Sequence, residues 1–187
     1  AKARLAKIDA ELARLQECGP SSLQAYVIDR LLAKLGETGE DGKPRKCVLF
    51  VQDKTALAYY TGQFLRRGVT ALDVSGDDSL KPAARTGISP RRQKIDLFRN
   101  GPVQLLIATI DSMAEGVNLP EASFGIIDHW DWTPSKMNQA IFRLVRPQQR
   151  NRVAFEIPYF RGTVWEYARV LNRYKRTSVD AAMDGYP

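Results

Sequence analysis

From residue 46 onward, short continuous apolar runs alternate with stretches of helical periodicity, and few folds accommodate that pattern. Lys46-Cys47-Val48-Leu49-Phe50-Val51 is apolar after its first residue, the mark of a strand buried on both faces. The spacing predicts a helix over 54–67, stopped by Gly68. Then come a strand at Val69–Val74, a loop at Ser75-Gly76-Asp77, a helix from Pro90 to Phe98 and a strand at Val103–Thr109. A loop carries Gly116 and Asn118. A strand at Phe124–His129, a helix over 135–146, a strand at Arg152–Pro158 and a helix over 163–176 complete the series. Such alternation predicts an α/β fold, a mostly parallel sheet with helices on both faces. Ligands of these sheets bind at the carboxyl ends of the strands.

Two helices are expected ahead of the first strand. Leu5, Ile8, Leu12 and Leu15 form one stripe over 1–17, ended by Gly19-Pro20. Ser21 or Ser22 caps the second, which places Leu23, Val27, Leu31 and Leu35 on one side and stops at Gly36. Residues 36–45 read as a polar loop. The chain divides into a helical lead (1–40), a main α/β domain (45–176) and a tail (177–187).

Composition narrows the function classes. With 44% apolar and 26% charged residues, the chain reads as an ordinary globular protein, not a disordered one. No apolar run reaches the roughly 18 residues of a membrane span. No leader for export is evident, and Cys18 and Cys47 lack metal-ligand spacing, so an intracellular, reducing compartment is expected. His129 is the sole histidine, which makes a His-based hydrolase or a zinc site hard to assemble; it reads as structural. The chain opens on Ala1 and is read as a piece of something longer.

Net charge is +7, and its placement matters more than its size. Residues 139–176 carry nine Lys/Arg against Glu156 and Glu166, which accounts for the whole excess. Clustered Arg is a footprint for phosphate, in nucleotide or nucleic acid, and equally describes a solvated basic face. The late segment interleaves Arg with Tyr159, Phe160, Trp165, Tyr167 and Tyr174. We read these aromatics as packing and the Arg as solvent or phosphate contacts.

Gly42-Lys43 fails as a phosphate loop: Glu37 stands where the earlier glycine belongs, and Pro44 replaces the magnesium-holding hydroxyl. No acidic box is present. The most informative segment is Gln139-Ala140-Ile141-Phe142-Arg143-Leu144-Val145-Arg146. At 100° per residue, Met137, Ala140, Ile141, Leu144 and Val145 face the core, and Gln139, Arg143 and Arg146 converge on the opposite side. Two guanidiniums one turn apart suit a polyphosphate; an ordinary surface helix gives the same spacing.

In order and spacing, these blocks resemble the second RecA-like lobe of superfamily-two helicases, Swi/Snf-type DNA translocases in particular. Gln139-Ala140, Arg143, Arg146 and Gln149 match that family's last motif. Glu115-Gly116-Val117-Asn118-Leu119 with Ala122 resembles its fifth, Trp132-Thr133-Pro134 its Trp-Asn-Pro signature, and Lys46 to Gln52 its fourth. Ser75-Gly76-Asp77, Arg91 or Arg92, Phe98, and Gly162-Thr163-Val164-Trp165-Glu166 follow the family's spacing. Phe142 and Val145 depart from it, standing where Asp and His are usual.

The resemblance implies a RecA-like three-layer sandwich preceded by a helical segment. It implies arginine fingers at Arg143 and Arg146, with Arg146 the stronger transition-state contact. Gln139, Glu115, Gly116 and Asn118 would contact nucleotide, although Gly116 also reads as a plain turn. Gln52, Ser75, Gly76, Arg91, Thr109, Asp111, Ser112 and Trp132 would lie along nucleic acid, and Trp132 equally reads as core. ATP and Mg2+ would be held mainly by a first RecA-like lobe of the same protein, with double-stranded DNA as partner and no ATPase activity in this lobe alone. The alternatives are a strand-separating DNA or RNA helicase of the same superfamily and a catalytically inactive nucleic-acid-binding module.

Overall fold

A computed structural model describes residues 21–78, 87–113, 117–129, 134–145, 149 and 151–183, without the side chains of Pro134 and 175–183. The helix expected over 1–17 lies outside the described residues. Five strands form one sheet: β1 (Lys46–Val51), β2 (Ala71–Val74), β3 (Leu105–Thr109), β4 (Ala122–Ile127) and β5 (Ala154–Glu156). Their order is β2-β3-β1-β4-β5, and every pair is parallel. The helices are α1 (Ser22–Leu35), α2 (Lys54–Leu65), α3 (Pro90–Asn100), α4 (Pro134–Leu144) and α5 (Val164–Met183). A 3-10 turn spans Asp111–Met113.

β1 shows why the sheet is three-layered. Cys47, Leu49 and Val51 enter the core under α1 and α2, with Tyr60 and Phe64 among their neighbours. Val48 and Phe50 enter the opposite core, under α3 and α4. Both faces are covered, so strands without an exposed side read as continuous apolar runs. Cys47 is fully buried, and burial pushes its thiol up to about 12. At the β5 edge, Phe155 stacks on Phe50 and lies across Gly125, where an added Cβ would meet the ring at 2.5 Å.

Local chemistry sets the helix starts. Ser21 and Gln24 form a reciprocal capping box on α1, at 3.2 and 2.9 Å. Asp53 caps α2 through the Ala56 amide at 2.8 Å. Ser89 caps α3, whose first residue is Pro90. At the other end of α3, the Lys46 ammonium donates to the carbonyls of Phe98, Arg99 and Gly101, where the helix dipole favours a cation.

Three differences from the sequence reading have physical causes. The second helix of the expected lead, α1, packs on the sheet, and Tyr26 and Arg30 bind Glu156 of β5 at 2.9 and 2.8 Å. β5 is shorter than Arg152–Pro158, because an edge strand pairs on one side only and Pro158 has no amide to donate. α5 continues to Met183, into the expected tail, since no Gly or Pro interrupts the chain before Gly185. Along α5, Trp165 packs on the sheet and Ala168 and Asn172 are buried, as the periodicity implies. Tyr167 and Tyr174 are exposed, contrary to packing.

Candidate nucleotide and nucleic-acid interface

Parallel pairing sets the carboxyl ends of β2, β3, β1 and β4 in one row. Gln52 follows β1 and is exposed. After β2 the chain folds back on itself. The Ser75 amide donates to Asp78 Oδ2 at 2.8 Å, and the Asp77 amide donates to Ser75 Oγ at 3.2 Å. α3 pins this loop: Lys94 Nζ lies 2.9 Å from Asp78 and donates to the Asp73 carbonyl at 2.7 Å. After β3, the Ser112 hydroxyl lies 2.7 Å from the Thr109 carbonyl and 3.1 Å from that of Val74.

Arg91 joins the two loops. Nη1 donates to the Ser112 carbonyl at 3.0 Å and Nη2 to the Ser75 carbonyl at 3.1 Å, with the residue 6% exposed. The sequence reading placed this side chain on the surface against a phosphate backbone; it is instead turned inward. The first turn of α3 covers the ends of β2 and β3, where two strand-end carbonyls offer acceptors to a guanidinium. Ser75, Thr109 and Ser112 are also buried. Among the described residues expected to contact nucleic acid, Gln52, Gly76 and Asp111 are exposed. Asp111 pairs with Lys136 of α4 at 3.1 Å. Lys94, Asp78 and Lys136 were missed in the sequence; Lys94 stands one turn after Arg91, which was the available signal.

The end of β4 holds a buried polar pair. Asp128 and His129 meet at 2.8 Å, and the Asp128 amide donates to the Phe50 carbonyl at 3.1 Å. Burial pushes the Asp128 carboxyl up, against the pull of the His129 bond. His129 is 5% exposed, in keeping with a structural part.

A second group of residues lies along α4. Met137, Ala140 and Leu144 are buried, Ile141 packs against the core, Gln139 is exposed and Arg143 is half-buried. Val145, expected in the core, is 46% exposed. α4 ends at Leu144, so the 100° spacing no longer applies to the next residue. The Leu119 amide donates to the Arg143 carbonyl at 2.8 Å, which sets exposed Asn118 beside the end of α4. Gln149 donates to the Ala122 carbonyl at 2.9 Å. Glu115, Gly116, Trp132 and Arg146 lie outside the described residues.

The expected site residues that are described thus fall into two groups, the strand-end loops and the second half of α4 with Asn118 beside it. Ser112 belongs to the first group, and Leu119, seven residues later in the chain, borders the second. Among the described residues, no group of three His, Cys, Asp or Glu could hold a metal ion, and no helix is long and apolar enough to cross a membrane.

Comparison with known proteins decides the family. The helicase conserved C-terminal domain matches residues 26–148. The chain belongs to that family. Within it, this is a SNF2-type C-terminal RecA-like lobe. It is similar to two SNF2 domain-containing proteins of Arabidopsis thaliana. CLASSY 2 is 32% identical over 73% of this chain, and CLASSY 1 is 35% identical over 60%. The lobe spans about a tenth of the length of these relatives, 10% and 8%. The putative SWI/SNF-related matrix-associated actin-dependent regulator of chromatin subfamily A member 3-like 1, also of Arabidopsis thaliana, is 27% identical over 89% of the lobe and 18% of its own length. The crystal structure of the C-terminal part of the Fun30 ATPase domain superposes with a TM-score of 0.69 at 18% identity. It covers 81% of the lobe and 45% of that chain, and shows the same fold.

Proposed function

We propose that this lobe is the second half of an ATP-driven motor that moves along double-stranded DNA. One observation carries the reading: the turn after β3 is bonded to the β2 side through Ser112 and Val74, and Leu119, a few residues on in the same chain, is bonded to the Arg143 carbonyl at the end of α4. A change at the nucleotide is thereby transmitted to the DNA side through covalent chain and a few hydrogen bonds. Arg143 and Arg146 reach across a cleft to the γ-phosphate of ATP and neutralise charge that grows as the phosphoryl group leaves. Gln139 and Asn118 flank them and hold the nucleotide. Residues of the first lobe, which also carries the phosphate loop, would hold Mg2+, and the ion would supply charge neutralisation at the phosphates. Gln52 and Gly76 meet the DNA backbone and position it without reading sequence. Asp111, its charge neutralised by Lys136, borders the DNA backbone beside them.

The test is ATP turnover of the full-length protein with and without duplex DNA, wild type beside Arg146→Ala and Arg143→Ala. A fall of about 10³-fold in DNA-stimulated turnover, with DNA binding kept, is expected for a transition-state finger. Unchanged turnover would move the assignment to a binding module. Strand displacement coupled to hydrolysis would make the protein a helicase instead of a translocase.

A further inference from the structure

We infer that Arg91 is a positioning residue: it locks the two strand-end loops to each other and so sets the height of the DNA grip. The inference rests on the translocase reading above. Three observations lead to it. Arg91 is buried at the first turn of α3, 6% exposed. Its two terminal nitrogens are each committed to a carbonyl, one in each loop. The loops it joins carry Gly76 and Asp111, both exposed and both expected along the DNA.

The chemistry requires a guanidinium. Its rigid planar fork satisfies two acceptors at once, and the bonds are charge-assisted. A lysine is a point donor on a flexible stem and spans two carbonyls poorly. Lys94, the next inward cation on α3, holds only the β2 loop, through Asp78 and Asp73. Ser112 adds a bond from the β3 turn back to Val74 of β2. Arg91 and Ser112 therefore make the loops after β2 and β3 one rigid platform. Without the fork, each loop relaxes separately and the DNA backbone no longer meets both in register.

The experiment uses the full-length protein. DNA-stimulated ATP turnover is titrated with duplex DNA, and DNA affinity is measured across a range of salt, for wild type, Arg91→Met, Arg91→Lys and Ser112→Ala. A misplaced grip is expected to raise the apparent KM for DNA by about 10-fold or more in Arg91→Met. Turnover at saturating DNA should stay within about two-fold of wild type. Arg91→Lys falls between. The slope of log affinity against log salt should equal that of wild type, because no phosphate contact is lost. A slope shallower by about 0.9 would overturn the proposal and make Arg91 a direct phosphate ligand. A lower turnover with unchanged KM would also overturn it, since that reports only fewer folded molecules. If Arg91→Met does not fold, Ser112→Ala carries the same expectation: raised KM at unchanged slope. Wild-type turnover that ignores DNA would instead sink the translocase reading, and this inference with it. DNA-stimulated wild type with indistinguishable variants would sink the inference alone.

Discussion

Gly125 and Asp128 sit three residues apart near the end of β4, and substitution is expected to act on them in opposite directions. An alanine at Gly125 would press its Cβ into the Phe155 ring. Overpacking of this kind costs about 1–3 kcal/mol, and a domain this size loses roughly 2–4 °C in Tm per kcal/mol. Thermal unfolding of Gly125→Ala checks this, and Phe155→Leu in the same chain should restore part of the loss. Asp128 carries the opposite sign. Its carboxyl is pushed above the ordinary value by burial, so ionisation opposes folding at neutral pH. Asp128→Asn should raise Tm at pH 7 and lose that advantage as pH falls below the ordinary aspartate range. An unaltered Tm at pH 7 would mean that the His129 bond already offsets the burial. At this scale the sequence was legible where a side chain's place follows from its own helix: Gln139, Ala140 and Leu144 lie where the 100° rule puts them. Arg91 was not legible, because its acceptors stand 16 and 21 residues away and appear only once β2 and β3 are paired.

The helix α3 is held at both ends by side chains that lie outside it. Ser89 accepts the Arg92 amide at 3.2 Å at its start, and Lys46 of β1 closes its end. Removing the cap in Ser89→Ala should cost about 1 kcal/mol. Calorimetry or circular dichroism should then show Tm lower by roughly 2–4 °C. Because Arg91 and Lys94 ride on this helix, looser seating should also soften the strand-end loops, visible as faster amide exchange at Ser75 and Asp78. The central strands were readable as elements because burial on both faces erases period-two alternation, as in Lys46–Val51. β5 was overextended, since an apolar pattern does not record that one side of an edge strand has no neighbour.

The whole lobe is tied across its layers by Glu156. Burial raises the Glu156 carboxyl, but bonds from Arg30 and Tyr26 of α1 outweigh it and leave its pKa below the ordinary glutamate value. A depressed folded-state pKa contributes stability above the unfolded value, lost as pH falls through the folded one. Acid unfolding should therefore begin below about pH 4.5. Glu156→Gln should be less stable than wild type at pH 7 and should converge with it in acid. Parallel curves at all pH values would remove Glu156 from that account. The overall architecture was legible from alternation alone. The joining of α1 to the sheet was not, since nothing in residues 22–35 names Glu156 as a partner so far along the chain.

Cys47, at the centre of the sheet, turns that architecture into a clock. Its thiol is buried and its pKa is pushed up to about 12, so at neutral pH it presents almost no thiolate to an alkylating reagent. A maleimide can reach it only when β1 parts from its neighbours. In a Cys18→Ser background, the rate of its modification reports how often the core opens.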